Sequence, residues 1–396
     1  MRFLSAGYIF PISGPPIAGG ILVMDDEGFV AEVLRPGQEN LPDENIEPFD
    51  GILCPGFVNA HCHLELSWAK GLIESGIGLD GFLRALDELR HNELPVDPVK
   101  AIKEEGAEMH RSGVVAAGDI CNSALTVAFK ESSGMLFHNF VEVFASDPAK
   151  AEPAAMKGIQ LAQIFRALQR NNRASVTPHA PYSVTEQLFR LIGFLPENTP
   201  VTIHHQESAA ENRFFLNGSG SMAARRLYYN PGLAPFRPTG RRPFESIAPF
   251  LNPEQKILLV HNTFSEQEDI GFALQHFPGV AWCFCPNANL FIESRLPDIP
   301  LFVKNHCKIM LGTDSLASNR RLSILEEIKT ISAHFPSIPL NELLTWATLN
   351  GAEFYGFRRL GSFEKGKKPG VVFINNPEPG SMNLTPASTS RLIIPA

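Results

Sequence analysis

The stretch FVNAHCH, residues 57–63, decides the fold we expect, because a short apolar run ends there in two histidines two positions apart. Seven further short, β-rich runs follow it, separated by longer amphipathic segments such as VKAIKEEGAEMHRSG at 99–113. This alternation indicates eight βα units, and the sequence therefore predicts a (β/α)8 TIM barrel. The eight runs are FVNAH (57–61), GVVAAGD (113–119), LFHNFVEVF (136–144), ASVTPHA (174–180), VTIHH (201–205), ILLVH (257–261), VAWCFC (280–285) and KIMLGTD (308–314).

A doubly wound open sheet is the competing arrangement of such units. That fold carries a glycine-rich phosphate- or dinucleotide-binding loop after its first strand. The first unit here continues with HCHLELS at 61–67 and has no such loop. The closed barrel is therefore the preferred interpretation.

The two ends of the chain differ from its middle. Residues 1–53 hold short apolar runs, and the Asp-Asp-Glu-Gly stretch at 25–28 indicates a hairpin between ILVM and FVAEVL. Similar runs recur in the tail, in GVVFIN at 370–375 and RLIIPA at 391–396. Because the two ends of a domain often lie close together, these segments can share one sheet. We expect three parts: an N-terminal β unit (1–53), a barrel (54–355) and a C-terminal β unit (356–396).

Composition excludes several classes of protein. The chain has 396 residues, of which 44% are hydrophobic and 19% charged, and its formal net charge is −8. This is the balance of a globular protein whose mild acidity gives no basis for binding nucleic acid or an anionic membrane. Neither a signal peptide nor a transmembrane run is expected. Six cysteines in so long a chain do not indicate a disulfide framework, so we expect a reducing, cytoplasmic location.

Residues that can bind a metal lie at the ends of four predicted strands. His61 and His63 end the first strand, and residues two apart on a strand point to the same side. The fifth strand continues into His204-His205-Gln206-Glu207, the sixth ends at His261 and the eighth at Asp314. A barrel builds its active site at the carboxyl ends of its strands, so these side chains are expected to meet there. A single histidine at a strand end is more often structural, but this combination favours a metal site.

The sequence resembles the amidohydrolase superfamily. PGFVNAHCHLELS at 55–67 is similar to the first-strand signature of that superfamily. HAPYS (179–183), HHQESAAE (204–211), LGTDSLASN (311–319) and the tail LGSFEKGKKPGVVFIN (360–375) resemble its branch of aromatic-ring deaminases. That branch includes adenosine, methylthioadenosine, S-adenosylhomocysteine, guanine and aminodeoxyfutalosine deaminases and the triazine chlorohydrolases. The resemblance implies a distorted (β/α)8 barrel, a small flanking β-sandwich formed by both chain termini, and one divalent metal ion, zinc or alternatively iron.

The resemblance also implies roles for single residues. The metal ligands it implies are His61, His63, His204 and Asp314. The catalytic residues it implies are Glu207 as the proton shuttle, His261 as the histidine that polarises the attacking water, and Asp314 as its proton acceptor. His205 is expected on the opposite face of its strand. Binuclear members of the superfamily place a lysine on the fourth strand, and ASVTPHA has none, which favours a single metal.

The residues that bind substrate are less constrained. His179 matches a histidine of the branch that contacts substrate, and Ser318 in the LGTDSLASN motif is a further candidate. Trp68 lies near a strand end, where stacking on a purine and packing in the core are equally plausible roles.

The long segment 214–251, rich in Gly, Pro and Arg, follows the fifth strand and is expected to cover the barrel mouth. It contains Arg225, Arg226, Arg241 and Arg242. Arginines suit a carboxylate or phosphate, and Arg225 and Arg241 are the candidates for substrate binding. Solvated surface arginines are the alternative.

Three functions are considered from the sequence. The first is metal-dependent hydrolytic deamination of an aminopurine nucleoside or related heteroaromatic compound, with the benzoate-bearing aminodeoxyfutalosine as one candidate substrate. The second is hydrolysis of a ring amide or a C–Cl bond at the same site. The third, more remote, is a metal-binding scaffold without catalysis. The expected partner is a small molecule, with no nucleic acid and no membrane, and a homo-oligomer is left open.

Overall fold

Parallel βα units make up the middle of the chain, and a sheet built from both ends lies beside them. The computed structural model describes residues 1–37, 45–92, 94, 96–168, 172–375 and 382–396. The strands within these ranges are β1 (Arg2–Ile9), β2 (Ile17–Ala18), β3 (Ile21–Met24), β4 (Val30–Leu34), β5 (Ile46–Pro55), β6 (Phe57–Cys62), β7 (Val114–Cys121), β8 (Leu136–Val143), β9 (Arg173–Pro178), β10 (Val201–His205), β11 (Ile257–His261), β12 (Val280–Phe284), β13 (Ile309–Leu311), β14 (Val371–Asn375) and β15 (Thr389–Ile394).

Helices alternate with the strands of the middle of the chain. The second helix illustrates a local start signal, because the Asp97 side chain accepts a hydrogen bond from Val99 N and Pro98 occupies the first turn. The helices described are α1 (Gly78–His91), α2 (Pro98–Arg111), α3 (Val127–Ser132), α4 (Ala151–Arg166), α5 (Glu186–Gly193), α6 (Ala209–Asn217), α7 (Ser221–Tyr229), α8 (Pro243–Ile247), α9 (Gln267–His276), α10 (Pro286–Glu293), α11 (Ile299–Lys304), α12 (Ile324–His334), α13 (Leu340–Ala347) and α14 (Leu349–Tyr355). None of the helices described is both long and apolar enough to cross a membrane.

The eight predicted runs form two four-stranded parallel sheets. One has the order β6-β7-β8-β9 and the other β10-β11-β12-β13. The sheets approach each other at both pairs of edges, because His204 N donates to His179 O and Asp314 N donates to His61 O. Gly312 permits the second approach, since a Cβ there would lie 2.8 Å from His61 O. The arrangement is TIM-barrel-like, and it brings the carboxyl ends of both sheets together.

The strands of these parallel sheets are buried along their length. Every residue of β7 and of β10 to β13 is buried, which is the pattern of sheets covered on both faces. One charged pair lies within this interior: Lys130 Nζ is 2.5 Å from Asp119 Oδ2. Asp119 Oδ1 also accepts a hydrogen bond from Leu64 N at 2.8 Å, which fixes the backbone directly after His63.

The two ends of the chain share one seven-stranded sheet, as the sequence predicts. Its order is β15-β14-β5-β1-β3-β4, with β2 paired to β1. The hairpin at 25–28 is present, and Asp25 Oδ1 accepts from Glu27 N and Phe29 N at 3.0 and 2.8 Å. The expected boundary at 53/54 falls inside β5, whereas the expected boundary at 355/356 coincides with the end of α14.

Candidate active site

Imidazoles and one carboxylate converge where the strands of the two parallel sheets end. His61, His204, His261 and Asp314 each offer a ligand atom, and these atoms all lie within 4.8 Å of one another. His63 joins them, with its Nε2 3.1 Å from His61 Nε2 and 3.2 Å from Asp314 Oδ1. The five residues come from β6 and the residue directly after it, from β10 and β11, and from the segment after β13. The structure therefore brings together every residue that the sequence identified as a metal ligand.

Hydrogen bonds at Nδ1 of two histidines determine which ring nitrogen carries the proton and which faces the cluster without one. His204 Nδ1 donates to the carbonyl of His179 at 2.9 Å, and His261 Nδ1 donates to Asn289 Oδ1 at 3.1 Å. We assign both rings the tautomer whose Nε2 is bare, because the other nitrogen carries the proton. His204 Nε2 faces His63 Nε2 at 3.3 Å. Imidazole nitrogens facing one another in this way fit a cation that accepts their lone pairs.

The ionisation states also fit a divalent metal. Burial lowers the pKa of His61, His63 and His261, which keeps these rings neutral at pH 7. Burial opposes ionisation of Asp314, but its hydrogen bond with His61 and the other histidines nearby hold its pKa well below the usual range. Neutral imidazoles with one carboxylate are a ligand set that zinc uses in proteins.

The backbone at these strand ends adopts unusual conformations. His261 and Asp314 have φ of 74° and 56°, and Asn262 has 56°, in the left-handed region that costs non-glycine residues free energy. At Asp314 the surrounding hydrogen bonds impose this conformation, because Thr313 N and Asp314 N both donate to His61 O at 2.9 and 3.1 Å. Such strain collects at functional sites, where it aims side chains that regular strand geometry would point elsewhere.

Ser318 lies behind Asp314 and not in the cavity wall that the structure describes. Its hydroxyl donates to Asp314 Oδ2 at 2.5 Å and it is fully buried. The sequence suggested Ser318 as a substrate contact, whereas in the structure its hydroxyl orients the carboxylate of Asp314. Asn289 does the same for His261 and is itself held by donating to Thr263 Oγ1 at 2.6 Å.

Glu207 faces the cluster from the loop after β10. Its Oε1 lies 3.7 Å from His261 Nε2. Burial, together with the negative charges of Asp314 and Glu293, raises the pKa of Glu207 to about 8. The carboxyl group therefore holds a proton at pH 7 beside a carboxylate, Asp314, that holds none. His205 lies on the opposite face of β10, against the ring of Phe244.

A cavity of about 510 Å³ opens above the cluster. Its base contains Glu207 and four members of the cluster, His63, His204, His261 and Asp314. Its mouth is formed by α1, the loops after β8 and β9, and α7. His179 lines it as the sequence suggested, and its Nδ1 lies 2.7 Å from Ser183 Oγ. The volume suits a ligand of nucleoside size.

The predicted lid segment reaches the cavity only in part. Arg225 and Arg226 of α7 line the mouth, but Arg225 already pairs with Asp87 Oδ2 at 2.6 Å. Arg226 donates to the carbonyl of Ser146 at 3.1 Å, and its Nε has no hydrogen-bond partner among the described residues.

The other candidates of this kind lie elsewhere. Arg241 is exposed and lies 3.7 Å from Glu245, and Arg242 is bound to Asp269. Trp68 packs in an apolar cluster with Leu79 and Phe82, and is not part of the cavity wall described.

Four charged residues of the cavity wall were missed in the sequence: Asp87, Arg90, Glu142 and Lys150. Glu142 had a signal, since it is an acidic residue near the carboxyl end of the third predicted strand, LFHNFVEVF. Arg90 lies in the last turn of α1 and Lys150 directly precedes α4, and nothing local distinguishes them from other exposed cations.

Known proteins share this architecture. A profile described as the amidohydrolase family matches residues 52–390. The 5'-deoxyadenosine deaminase of Methanobrevibacter smithii is 25% identical over 98% of this chain and 86% of its own. The aminodeoxyfutalosine deaminase of Deinococcus radiodurans is 25% identical over 90% and 86%. The crystal structure of Helicobacter pylori aminofutalosine deaminase with methylthio-coformycin has a TM-score of 0.82 at 21% identity, covering 96% of this chain and 93% of that one.

Proposed function

The chain belongs to the amidohydrolase family and is a hydrolase of carbon–nitrogen bonds, and from this premise we propose that it deaminates an aminopurine nucleoside or a related heteroaromatic compound. The observation that carries the proposal is the position of Glu207, a protonated carboxyl group beside His261 in the same cluster that holds the ionised Asp314. Hydrolytic deamination needs one group that takes a proton from water and another that gives one to the ring.

We propose that His61, His63, His204 and Asp314 bind one divalent metal, zinc or alternatively iron. Such an ion supplies a water molecule of lowered pKa, which is nucleophilic at neutral pH. The convergent ligand atoms and the bare Nε2 of His204 support this ligand set. The absence of a lysine in β9 favours a single ion.

Different residues around the cluster carry out different proton transfers. Asp314 accepts a proton from the attacking water, and His261, held by Asn289, orients that water through its Nε2. Glu207 gives its proton to the ring nitrogen beside the attacked carbon. The amino nitrogen takes the proton held by Asp314, its bond to that carbon breaks and ammonia leaves. The new hydroxyl group gives its proton to Glu207 as it becomes the carbonyl, which restores both carboxyl groups to their starting states.

We propose that the cavity mouth binds an anionic group of the substrate, remote from the reacting ring. Arg90, Lys150 and Arg226 line the mouth, which places three cationic side chains there. Arg225 stays a candidate if its pairing with Asp87 opens. This arrangement favours a carboxylated nucleoside such as aminodeoxyfutalosine over plain adenosine.

We further propose that the two parallel sheets close into one distorted (β/α)8 barrel over 54–355, and that 1–53 and 356–396 form a β-sandwich. The hydrogen bonds between the sheets at His204 and Asp314 support closure, and the shared sheet supports the pairing of the two ends. All six cysteines are unpaired, which favours a reducing compartment such as the cytoplasm. The partner proposed is a small molecule, and a homo-oligomer is not required for the site.

Ammonia release tests the proposed function. The zinc-loaded protein would be assayed with adenosine, 5'-deoxyadenosine, methylthioadenosine and aminodeoxyfutalosine. Turnover of at least one of these, highest for the carboxylated compound, is the expected result. Chloride release from a chlorotriazine or opening of a ring amide, without ammonia from any nucleoside, would establish the alternative hydrolytic reaction. No turnover of any compound by metal-loaded protein would favour the scaffold.

A further inference from the structure

Strand β8 places a carboxylate in the wall of the cavity, and the proposed reaction does not use this carboxylate. Glu142 lies one residue before the end of β8, and its side chain is 5% exposed. It lines the cavity beside His63, His179 and His204. A buried carboxylate oxygen without a hydrogen bond is costly, so such a group calls for a partner.

One oxygen of Glu142 is held by the protein and the other is not. Oε2 accepts a hydrogen bond from Asn122 Nδ2 at 3.0 Å. Oε1 has no hydrogen-bond partner among the described residues. His204 Nδ1 lies 3.4 Å from it, but that nitrogen donates to the carbonyl of His179 at 2.9 Å. One acceptor of Glu142 thus has no partner among the described residues, in a side chain that lines the cavity.

A second buried glutamate makes this arrangement rigid. Glu65 Oε2 accepts from Asn122 N and Ser123 N at 3.0 and 3.2 Å, and from the Ser123 hydroxyl at 3.1 Å. These hydrogen bonds to Glu65 therefore fix the turn that positions the Asn122 amide. A preorganised acceptor of this kind is typical of a binding residue, because the cost of ordering it has been met before the ligand arrives.

The place of Glu142 indicates which part of a substrate it meets. His204 presents Nε2 to the cluster and Nδ1 towards Glu142, so its ring separates the carboxylate from the cluster. The reacting carbon and its amino group must lie at the cluster, near Glu207. Glu142 therefore meets a more distant part of the substrate. A carboxylate requires a donor, and away from the amino group the donors of a nucleoside are its sugar hydroxyls.

We propose that Glu142 is a specificity-determining residue that accepts a hydrogen bond from a ribose hydroxyl, so that the enzyme selects ribonucleosides over deoxynucleosides. This inference rests on the proposed function and deepens it. A site built to bond a hydroxyl rejects the analogue that lacks it, because the buried acceptor is then left unpaired.

The test compares adenosine with 2'-deoxyadenosine and 3'-deoxyadenosine in the zinc-loaded enzyme. Loss of a hydrogen bond to a charged group should lower kcat/KM by about tenfold to hundredfold. In the wild type, kcat/KM for at least one deoxy compound should therefore be lower than that for adenosine by about this factor. Glu142→Met, which keeps the length of the side chain but has no oxygen to accept a hydrogen bond, should lower kcat/KM for adenosine much more than for that compound, bringing the two within about threefold. Equal rates for the three nucleosides in the wild type would overturn the inference, as would discrimination that survives in Glu142→Met.

Glu211→Gln is the matched control, since Glu211 is also buried but does not line the cavity described. It should leave the ratio between adenosine and its deoxy analogues unchanged even where it alters stability. Metal content serves as a second readout, because ligand atoms of Glu142, His179 and His204 lie within 4.8 Å of one another. A second equivalent of zinc in the wild type that is lost in Glu142→Met would make Glu142 a ligand and overturn the inference.

Binding separates this inference from the proposed function. If the enzyme releases ammonia neither from these three nucleosides nor from 5'-deoxyadenosine, methylthioadenosine or aminodeoxyfutalosine, the proposed function fails. Calorimetric titration with inosine and with 2'- and 3'-deoxyinosine then decides the inference by itself. Tighter binding of inosine to the wild type, lost in Glu142→Met, would support it. Equal affinities, or no binding of any of the three, would overturn it.

Discussion

Two buried polar clusters lie on opposite faces of the strand end His61-Cys62-His63, and they differ in how fully their groups are paired. On the face of Cys62 lies what we term the closed cluster: Asp119, Lys130, Cys62, Cys121 and Asn139. Lys130 Nζ is 2.5 Å from Asp119 Oδ2 and 2.7 Å from Asn139 Oδ1, and Asp119 Oδ1 accepts from Leu64 N at 2.8 Å. Each charge meets its opposite inside the protein.

On the face of the two histidines lies the open cluster: His61, His63, His204, His261, Asp314 and Glu207. Here imidazole nitrogens face one another at 3.1 and 3.3 Å, and the group borders a cavity. Buried polar groups that pair internally serve the fold, whereas groups left facing one another at a cavity require something from outside. Alternation along one strand therefore separates a structural cluster from a functional one.

Removing the metal from the open cluster should have the largest effect. The protein should contain one equivalent of zinc or iron, and chelation should abolish deamination while zinc restores it. Because the ion binds the folded chain, its removal should also lower the free energy of unfolding, by about 2.7 kcal/mol where free metal stands at a hundred times Kd. Elemental analysis and urea unfolding measure both effects. Two equivalents retained after dialysis would contradict the proposed site.

Glu207→Gln should lower kcat by about two to four orders of magnitude, the range for a lost general acid–base group. Glutamine keeps the shape and hydrogen-bonding capacity but cannot transfer a proton, so metal content should stay at the wild-type value. Glu211→Gln is the control, since Glu211 is fully buried nearby but lies outside the cavity wall described. Its kcat should stay within about threefold of the wild type. Near-normal turnover by Glu207→Gln would remove Glu207 from the mechanism.

Lys130→Met should break the closed cluster and leave Asp119 as an unpaired buried charge. Loss of one partner of a buried pair costs about 3–5 kcal/mol in the free energy of unfolding, measurable by urea unfolding. Lys308→Met is the control, because its pair with Glu353 has a similar distance, 2.8 Å, but is exposed, and such pairs contribute about 0–1 kcal/mol. Equal losses in the two variants would show that burial does not distinguish them.

The sequence predicted the open cluster because two simple regularities apply to it. Strands were recognisable as apolar runs of regular spacing, and the carboxyl ends of parallel strands meet at one edge. His61, His204, His261 and Asp314 follow from these rules together with the family resemblance. The closed cluster was not predicted, because Lys130 reaches Asp119 from α3 and only the packing of that helix brings them together.

The mouth of the cavity was predicted least well. Trp68 packs in an apolar cluster, Arg241 is exposed, and Ser318 bonds to Asp314, so none of the three belongs to the cavity wall described. Which arginine of a long segment faces inwards depends on where its helix begins and how that helix packs. Composition and spacing carry no information on either. Arg90 reaches the same mouth from α1, far away in the sequence.

The smallest expected effect therefore concerns the mouth. Arg226→Ala should raise KM for a carboxylated nucleoside by about tenfold or more, because a charge-assisted contact contributes roughly 1.5–3 kcal/mol. KM for plain adenosine should hardly change, since that substrate has no group to meet the guanidinium. Arg241→Ala is the control, as Arg241 lies outside the cavity wall described and pairs with Glu245. Steady-state kinetics on both substrates provide the measurement. Small and equal shifts in KM for Arg226→Ala on the two substrates would contradict an anion site at the mouth and, with it, the preference for a carboxylated substrate.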